Sequence, residues 1–200
     1  MLCDVCKRNR NGITWFGSAA GTLAVCRKCA PDIDQGLQQS LTELSARLSR
    51  CHSLTSVLME ILELALRITD ADKGNIQLLD ASGALQIRAQ TGFSTQFLEF
   101  FNRVATDDDS ACAAALAQRT TIVVEDVERS PIFVGTPALA VMLNAGVRAV
   151  QSTPMFDRAG SLVGIFSTQY ASPRKISAYE LKLVDLLARR AVEFIDEFQY

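Results

Sequence analysis

The sequence predicts an α+β domain, a mostly antiparallel sheet with helices at both ends, preceded by a small cysteine-rich module. Two pairs of strands joined by tight turns, within residues 75–89 and 148–170, carry the antiparallel expectation. Amphipathic stretches at 37–68 and 178–198 supply the flanking helices. Four of the six cysteines fall in two close pairs near the start. The 200 residues are 48% hydrophobic and 21% charged, with a net charge of −2. That is rich enough for a core, too apolar for a disordered tail and too balanced for a protein that coats nucleic acid. No apolar leader follows Met1, and the weakly polar stretch 135–147 is too short to span a bilayer. The expectation is a soluble, cytoplasmic protein with no membrane partner.

Cys3 and Cys6 form one C-x2-C, nineteen residues precede Cys26, and Cys26 and Cys29 form the second. In a chain without an export signal this spacing points to zinc rather than disulfides. Four thiolates complete a tetrahedral site and leave no open position, so the Zn2+ is expected to be structural. Between the pairs, Asn11-Gly12 is a turn, Ile13 to Phe16 a strand, Gly17 to Gly21 a second turn and Thr22 to Val25 a second strand. Knuckle, hairpin and second knuckle resemble a treble-clef or zinc-ribbon finger over residues 1–36.

From Leu37 the apolar residues step by four and three: Leu37, Leu41, Leu44, Leu48, Cys51, Thr55, Leu58, Leu62 and Ala65. That is a heptad seam, with a break expected near Ser49 to Ser53. Residues 37–52 are read as a helical connector and 53–200 as the main domain. Asn75–Leu79 and Ala84–Ala89 are strands around the turn Asp80 to Gly83. Gln96–Val104 is read as a helix, and Ala111–Arg119 as an alanine-rich helix behind Asp107-Asp108-Asp109-Ser110. Thr121–Val124 is a β-branched strand and Pro137–Ala145 a helix stopped by Gly146. Arg148–Phe156 and Leu162–Tyr170 are strands joined at Asp157 to Gly160. Ser177 with Glu180 forms a capping box that opens a last helix, its seam read as Leu181, Val184, Ala188, Ala191, Ile195 and Phe198.

In this order the residues resemble the GAF family of sensory domains. The matching segments are Ser53–Asp72, then Asp109–Thr120 followed by Thr121–Val127, then Ala145-Gly146-Val147-Arg148 through Pro154-Met155, then Leu162–Thr168. The resemblance covers residues 53–198. It implies a small-molecule pocket between the sheet and the elements on one face, relay through attached helices, dimers and a signalling role. Subclass motifs are absent. No Asn-Lys pair of the cyclic-nucleotide type occurs, and no Cys or His follows Ser130-Pro131 as in bilin binders. His52, the only histidine, sits in the connector, the wrong element for a haem ligand.

Within that pocket the expected ligand-contacting residues are Asp109, Cys112, Asp126, Arg148 and Gln151. Cys112 lies at a helix start, which acidifies a thiol, while Asp107 to Asp109 oppose it. Asp109, in the acidic run, is placed to meet a cationic ligand group or a metal; Asp126, Arg148 and Gln151 are placed near the pocket mouth. Phe93, Phe97, Phe101, Phe133, Met142 and Phe166 are candidate lining. The function expected is a non-enzymatic sensor with a signalling-protein partner, homodimeric through the flanking helices, with an unidentified small molecule as ligand. Two alternatives stand beside it. One is a thiol-dependent reductase on the same fold using Cys112. The other is a regulator that binds nucleic acid through the basic face of the finger, Lys7, Arg8, Arg10, Arg27 and Lys28; a protein-interaction finger is favoured over it.

Overall fold

A computed structural model describes residues 13–18, 21–26, 39–40 and 42–198. Near the start, β1 (Ile13–Ser18) and β2 (Gly21–Cys26) pair antiparallel, with Ile13 opposite Cys26. The hairpin expected between the cysteine pairs is therefore present. Cys3, Cys6, Cys29 and the side chain of Cys26 lie outside the described residues.

Residues 42–48 are helical (α1) and end in a turn at 49–50. α2 (Leu54–Thr69) then starts on Ser53, whose hydroxyl accepts from the Ser56 N–H at 3.2 Å. It stops where Asp70 takes a left-handed conformation and its N–H bonds the Leu66 carbonyl. The single heptad seam is thus two helices. Leu44 and Leu48 of α1 and Leu58, Leu62 and Ala65 of α2 all enter one core with α6 (Ala178–Phe198), while Thr55 faces solvent. The buried face of α6 is Leu183, Val184, Leu187, Ala188, Ala191, Val192 and Ile195. This corrects two seam positions: Leu181 is only half-buried and Phe198 is 43% exposed. Of the described seam leucines, Leu44, Leu48, Leu58 and Leu62 are buried within their own chain.

Six strands form one antiparallel sheet in the order β5-β4-β3-β8-β7-β6. Their ranges are β3 Lys73–Leu79, β4 Leu85–Thr91, β5 Arg103–Val104, β6 Ile122–Val124, β7 Ala149–Phe156 and β8 Leu162–Tyr170. The central β3–β8 pair joins the two hairpins, with Asn75 opposite Ser167 and Ile76 opposite Phe166. The helices of the other layer are α3 (Thr95–Phe100), α4 (Ala111–Gln118) and α5 (Pro137–Asn144). α1, α2 and α6 cover one face of the sheet, and α3, α4 and α5 the other.

One element differs from expectation. The helix expected to reach Val104 ends at Phe100, and Arg103–Val104 become an edge strand against Leu85 and Gln86. Arg103 donates to the Ser82 hydroxyl at 2.6 Å and lies 3.6 Å from Asp80, while Val104 is buried. The turn between β3 and β4 thus draws this segment onto the sheet, which its sequence period alone does not encode.

Candidate functional site

In a strand, alternate residues share a face. On the α3–α5 side β3 presents Asn75 and Gln77, β8 presents Ser167 and Gln169, and β7 presents Val150 and Ser152. The five polar residues among them are each at most 3% exposed. This is a polar stripe in the middle of an otherwise apolar layer. Facing it are Phe97 of α3, Phe101, Cys112 of α4 and Met142 of α5. A space of about 20 Å³, partly open to solvent, remains between the two walls.

The side-chain oxygens of Asn75, Gln77 and Gln169 are buried and have no hydrogen-bond partner. All three residues line the cavity. Buried polar groups are nearly always paired, so orphans on one small space mark a place where something else supplies the partner. The Ser152 and Ser167 hydroxyls bond each other at 2.9 Å, and the Cys112 thiol approaches them at 3.6 and 3.3 Å. Burial pushes the Cys112 thiol above its ordinary 9.0, and the two serines only partly offset this. The helix start does not make this thiol acidic. Ser110 caps α4 instead, accepting from the Ala113 N–H at 3.0 Å.

The five candidate pocket residues separate into four places. Cys112 lies on the cavity. Asp109 is exposed, one residue before the Ser110 cap, and does not line it. Asp126 and Arg148 pair with each other at 3.2 Å beside an open groove along Glu125, Arg129 and Arg174. Arg148 also pairs with Glu128, so both charges serve the fold. Gln151 is on the opposite face of the sheet, where its amide donates to Thr153 Oγ1 at 3.0 Å. Strand alternation decides this: Ser152 faces Cys112 of α4, so its neighbour cannot. Of the candidate lining residues, Phe97, Phe101 and Met142 form the wall. Phe93 stacks on Phe97 at 3.9 Å, Phe133 is buried in the same layer, and Phe166 lies on the helical α2–α6 face.

Sequence reasoning missed Asn75, Gln77, Ser152, Ser167 and Gln169. Their signal is polar residues at a spacing of two, Asn75-x-Gln77 and Ser167-x-Gln169, inside strands that are otherwise apolar. Cys51 packs in the α2–α6 layer and Cys112 in the other, so the sheet stands between the two thiols. Among the described residues no group of His, Cys, Asp and Glu is arranged to hold a metal ion, and no helix is long and apolar enough to cross a membrane.

A family model of GAF domains matches residues 51–196. No curated relative matches. Among solved structures, the GAF domain of a phosphoenolpyruvate-protein phosphotransferase from Coxiella burnetii superposes with a TM-score of 0.68 at 15% identity, covering 81% of this chain and 94% of that one. The chromophore-binding domain of a bacteriophytochrome from R. palustris gives 0.60 at 17% identity, covering 94% and 69%. Free methionine-R-sulfoxide reductase from Neisseria meningitidis gives 0.59 at 15% identity, covering 78% and 87%. At these identities the likeness is one of fold.

Proposed function

The chain belongs to the GAF domain family, and from that premise we propose that it is a non-enzymatic sensor that takes a small molecule into the cavity between the polar stripe and α3–α5. The observation that carries this reading is that three of the four orphaned carboxamide oxygens, those of Asn75, Gln77 and Gln169, fall on one space, the fourth being Gln151 on the opposite face.

The way out of the site runs one residue along a strand. Gln169 faces the cavity, and Tyr170, its neighbour, faces the α2–α6 layer. The Tyr170 hydroxyl bonds Thr168 Oγ1 at 3.2 Å, and its ring lies 4.3 Å below the Arg174 guanidinium. Arg174 pairs with Glu180, whose other carboxylate oxygen accepts from the Ser177 N–H at 2.8 Å and closes the capping box of α6. A shift of β8 on filling the cavity therefore acts on the start of α6. If the filled state favours one position of α6, binding and helix position are linked, and a signalling partner docked on the helices reads the difference.

The reductase alternative has less behind it. Among the described residues Cys112 has no second thiol on its side of the sheet, and its raised pKa keeps it protonated at neutral pH. For the N-terminal module we propose one structural Zn2+ held by Cys3, Cys6, Cys26 and Cys29, supported by the C-x2-C spacing and the hairpin between the pairs. A role in contacting protein rather than nucleic acid goes with it.

Native mass spectrometry of gently isolated protein tests the sensor reading. A bound small molecule is expected on the wild type and is expected to be lost in Gln169→Met. Wild-type protein that carries nothing, and that no member of a broad metabolite panel stabilises, overturns it.

A further inference from the structure

Resting on the sensor reading, we infer that the molecule recognised in this cavity is uncharged and carries several hydrogen-bond donors. No residue that lines the space is charged. The charged side chain at the end of this line, Lys73 opposite Gln169, donates to the Gly92 carbonyl at 2.8 Å, while Asp109 lies in solvent and Asp126 pairs with Arg148. An ion moved into this space from water would lose its hydration with no counter-charge, a penalty that hydrogen bonds to amides alone do not recover. A neutral molecule loses only polar hydration, and the carboxamides replace it.

The demand for donors follows from the register. Gln169 pairs opposite Lys73, Asn75 opposite Ser167 and Gln77 opposite Ile165. The three carboxamides therefore stand at successive alternate levels, a line of about 13 Å at 3.3 Å per residue. The space has room for roughly one water. One water brings two hydrogens to three oxygens and does not reach along that line. The occupant is therefore larger than water, with N–H or O–H groups spread along one edge. It enlarges the space at the expense of the movable wall, Phe97, Phe101 and Met142, rather than the sheet. The six-residue α3 carries Phe97 and leaves Phe100 exposed, so it is the lighter of the two walls.

In the empty protein the orphaned carboxamides are a destabilising feature that a bound molecule relieves. Replacing one by an apolar side chain of similar shape removes the orphan without leaving a hole. Gln77→Met is thus expected to melt above the wild type while binding less.

Three probes of nearly one planar shape separate the charges: urea, guanidinium and nitrate. Each is titrated, below denaturing concentrations, into isotope-labelled full-length protein while the side-chain amide signals of Asn75, Gln77 and Gln169 are followed by NMR. Urea is expected to move them at a concentration at least about tenfold lower than either ion. Gln77→Met, or Gln169→Met if the first does not fold, is expected to lose that response and melt higher. Guanidinium or nitrate acting as well as urea overturns the uncharged assignment and leaves the sensor reading standing. No response to any probe, with neither variant melting higher, overturns both, because the carboxamides are then ordinary packing.

Discussion

The hydroxyls of Ser152 and Ser167 meet 2.9 Å apart across β7 and β8, and the Cys112 thiol rests against both. The contact ties α4 to the centre of the sheet. It also fixes the protonation of the thiol, because desolvation outweighs the two hydroxyl contacts.

Alkylation of Cys112 is therefore expected to be slow at neutral pH and to accelerate only above the ordinary thiol pKa of 9.0. The linkage has a definite sign. Below 9.0 folded and unfolded chains both hold the proton, so the full stability is present. Above it the unfolded chain ionises first, and stability falls until the raised folded pKa is passed. Tyr170 and Tyr179, both raised by burial from 10.0, add to the alkaline loss. Cys112→Ala is expected to cost about 1 kcal/mol at neutral pH and to flatten the start of the alkaline limb in denaturant titrations. Fast labelling at pH 7 would show that the thiol is activated.

The β3–β4 turn is expected to weaken in acid. Asp80 accepts from the N–H groups of Ser82 and Ala84 at 2.8 and 3.1 Å and from the Gln86 amide at 3.2 Å. Its pKa is lowered to about 2, first by the Ser82 hydroxyl and then by these backbone bonds, with a smaller part from Arg103. The contribution is complete above the ordinary 3.8 and drains as pH falls toward 2. Asp80→Asn should remove that segment of the acid unfolding curve, and an unchanged curve would count against the role.

Gly164 has no room for a side chain. A Cβ there would overlap the Gln77 carbonyl and lie 2.8 Å from Met155 and 2.9 Å from Leu78. Because Gly164 pairs with both β3 and β7, Gly164→Ala must part the centre of the sheet. A loss of about 3 kcal/mol or more is expected by analogy with overpacked cores, read as a drop in denaturation midpoint. Normal stability would contradict the close β3–β8 approach.

Leu48 is buried within its own chain, against the layer formed by α2 and α6. Leu48→Ala is expected to cost about 3 kcal/mol, and Leu48→Asp more, seen as a lower melting temperature whatever the mass of the wild-type particle. If Leu48→Asp instead halves the mass in light scattering and leaves melting unchanged, the seam belongs to a dimer.

Metal analysis of reduced protein is expected to find one zinc per chain. A module of this size has too little core to fold unaided. Cys26→Ser should therefore release the metal and unfold the N-terminal module while the sheet of residues 73–170 stays folded by circular dichroism. Zinc-free wild-type protein would end the assignment.

Much of the architecture is legible in local sequence because its causes are local. Ser53, Ser110 and Ser177 each accept from an N–H three residues on, and the helices begin behind them. The turns at Asp80 to Gly83 and Asp157 to Gly160 fix the two hairpins, and the β-branched run Thr121 to Val124 marks a further strand. Even the break between α1 and α2 is visible as polar residues crossing a leucine seam.

The site is different, because it depends on which face of a strand looks which way. Gln151 and Ser152 are adjacent and both polar, yet only Ser152 lies on the face toward Cys112. That choice rests on the register of β7 against β8, with a bulge at Met155 and Phe156, and on which helices lie over each face. Asp126 and Arg148 read as ligand contacts until the chain brings them within 3.2 Å and each neutralises the other. Asn75, Gln77 and Gln169 gain significance only when β3 and β8 pair and leave their oxygens without partners. Short-range caps, turns and periodicity are thus determined by the sequence itself. Facing, pairing and desolvation arise from contacts between residues far apart in the chain, and only the tertiary structure decided them.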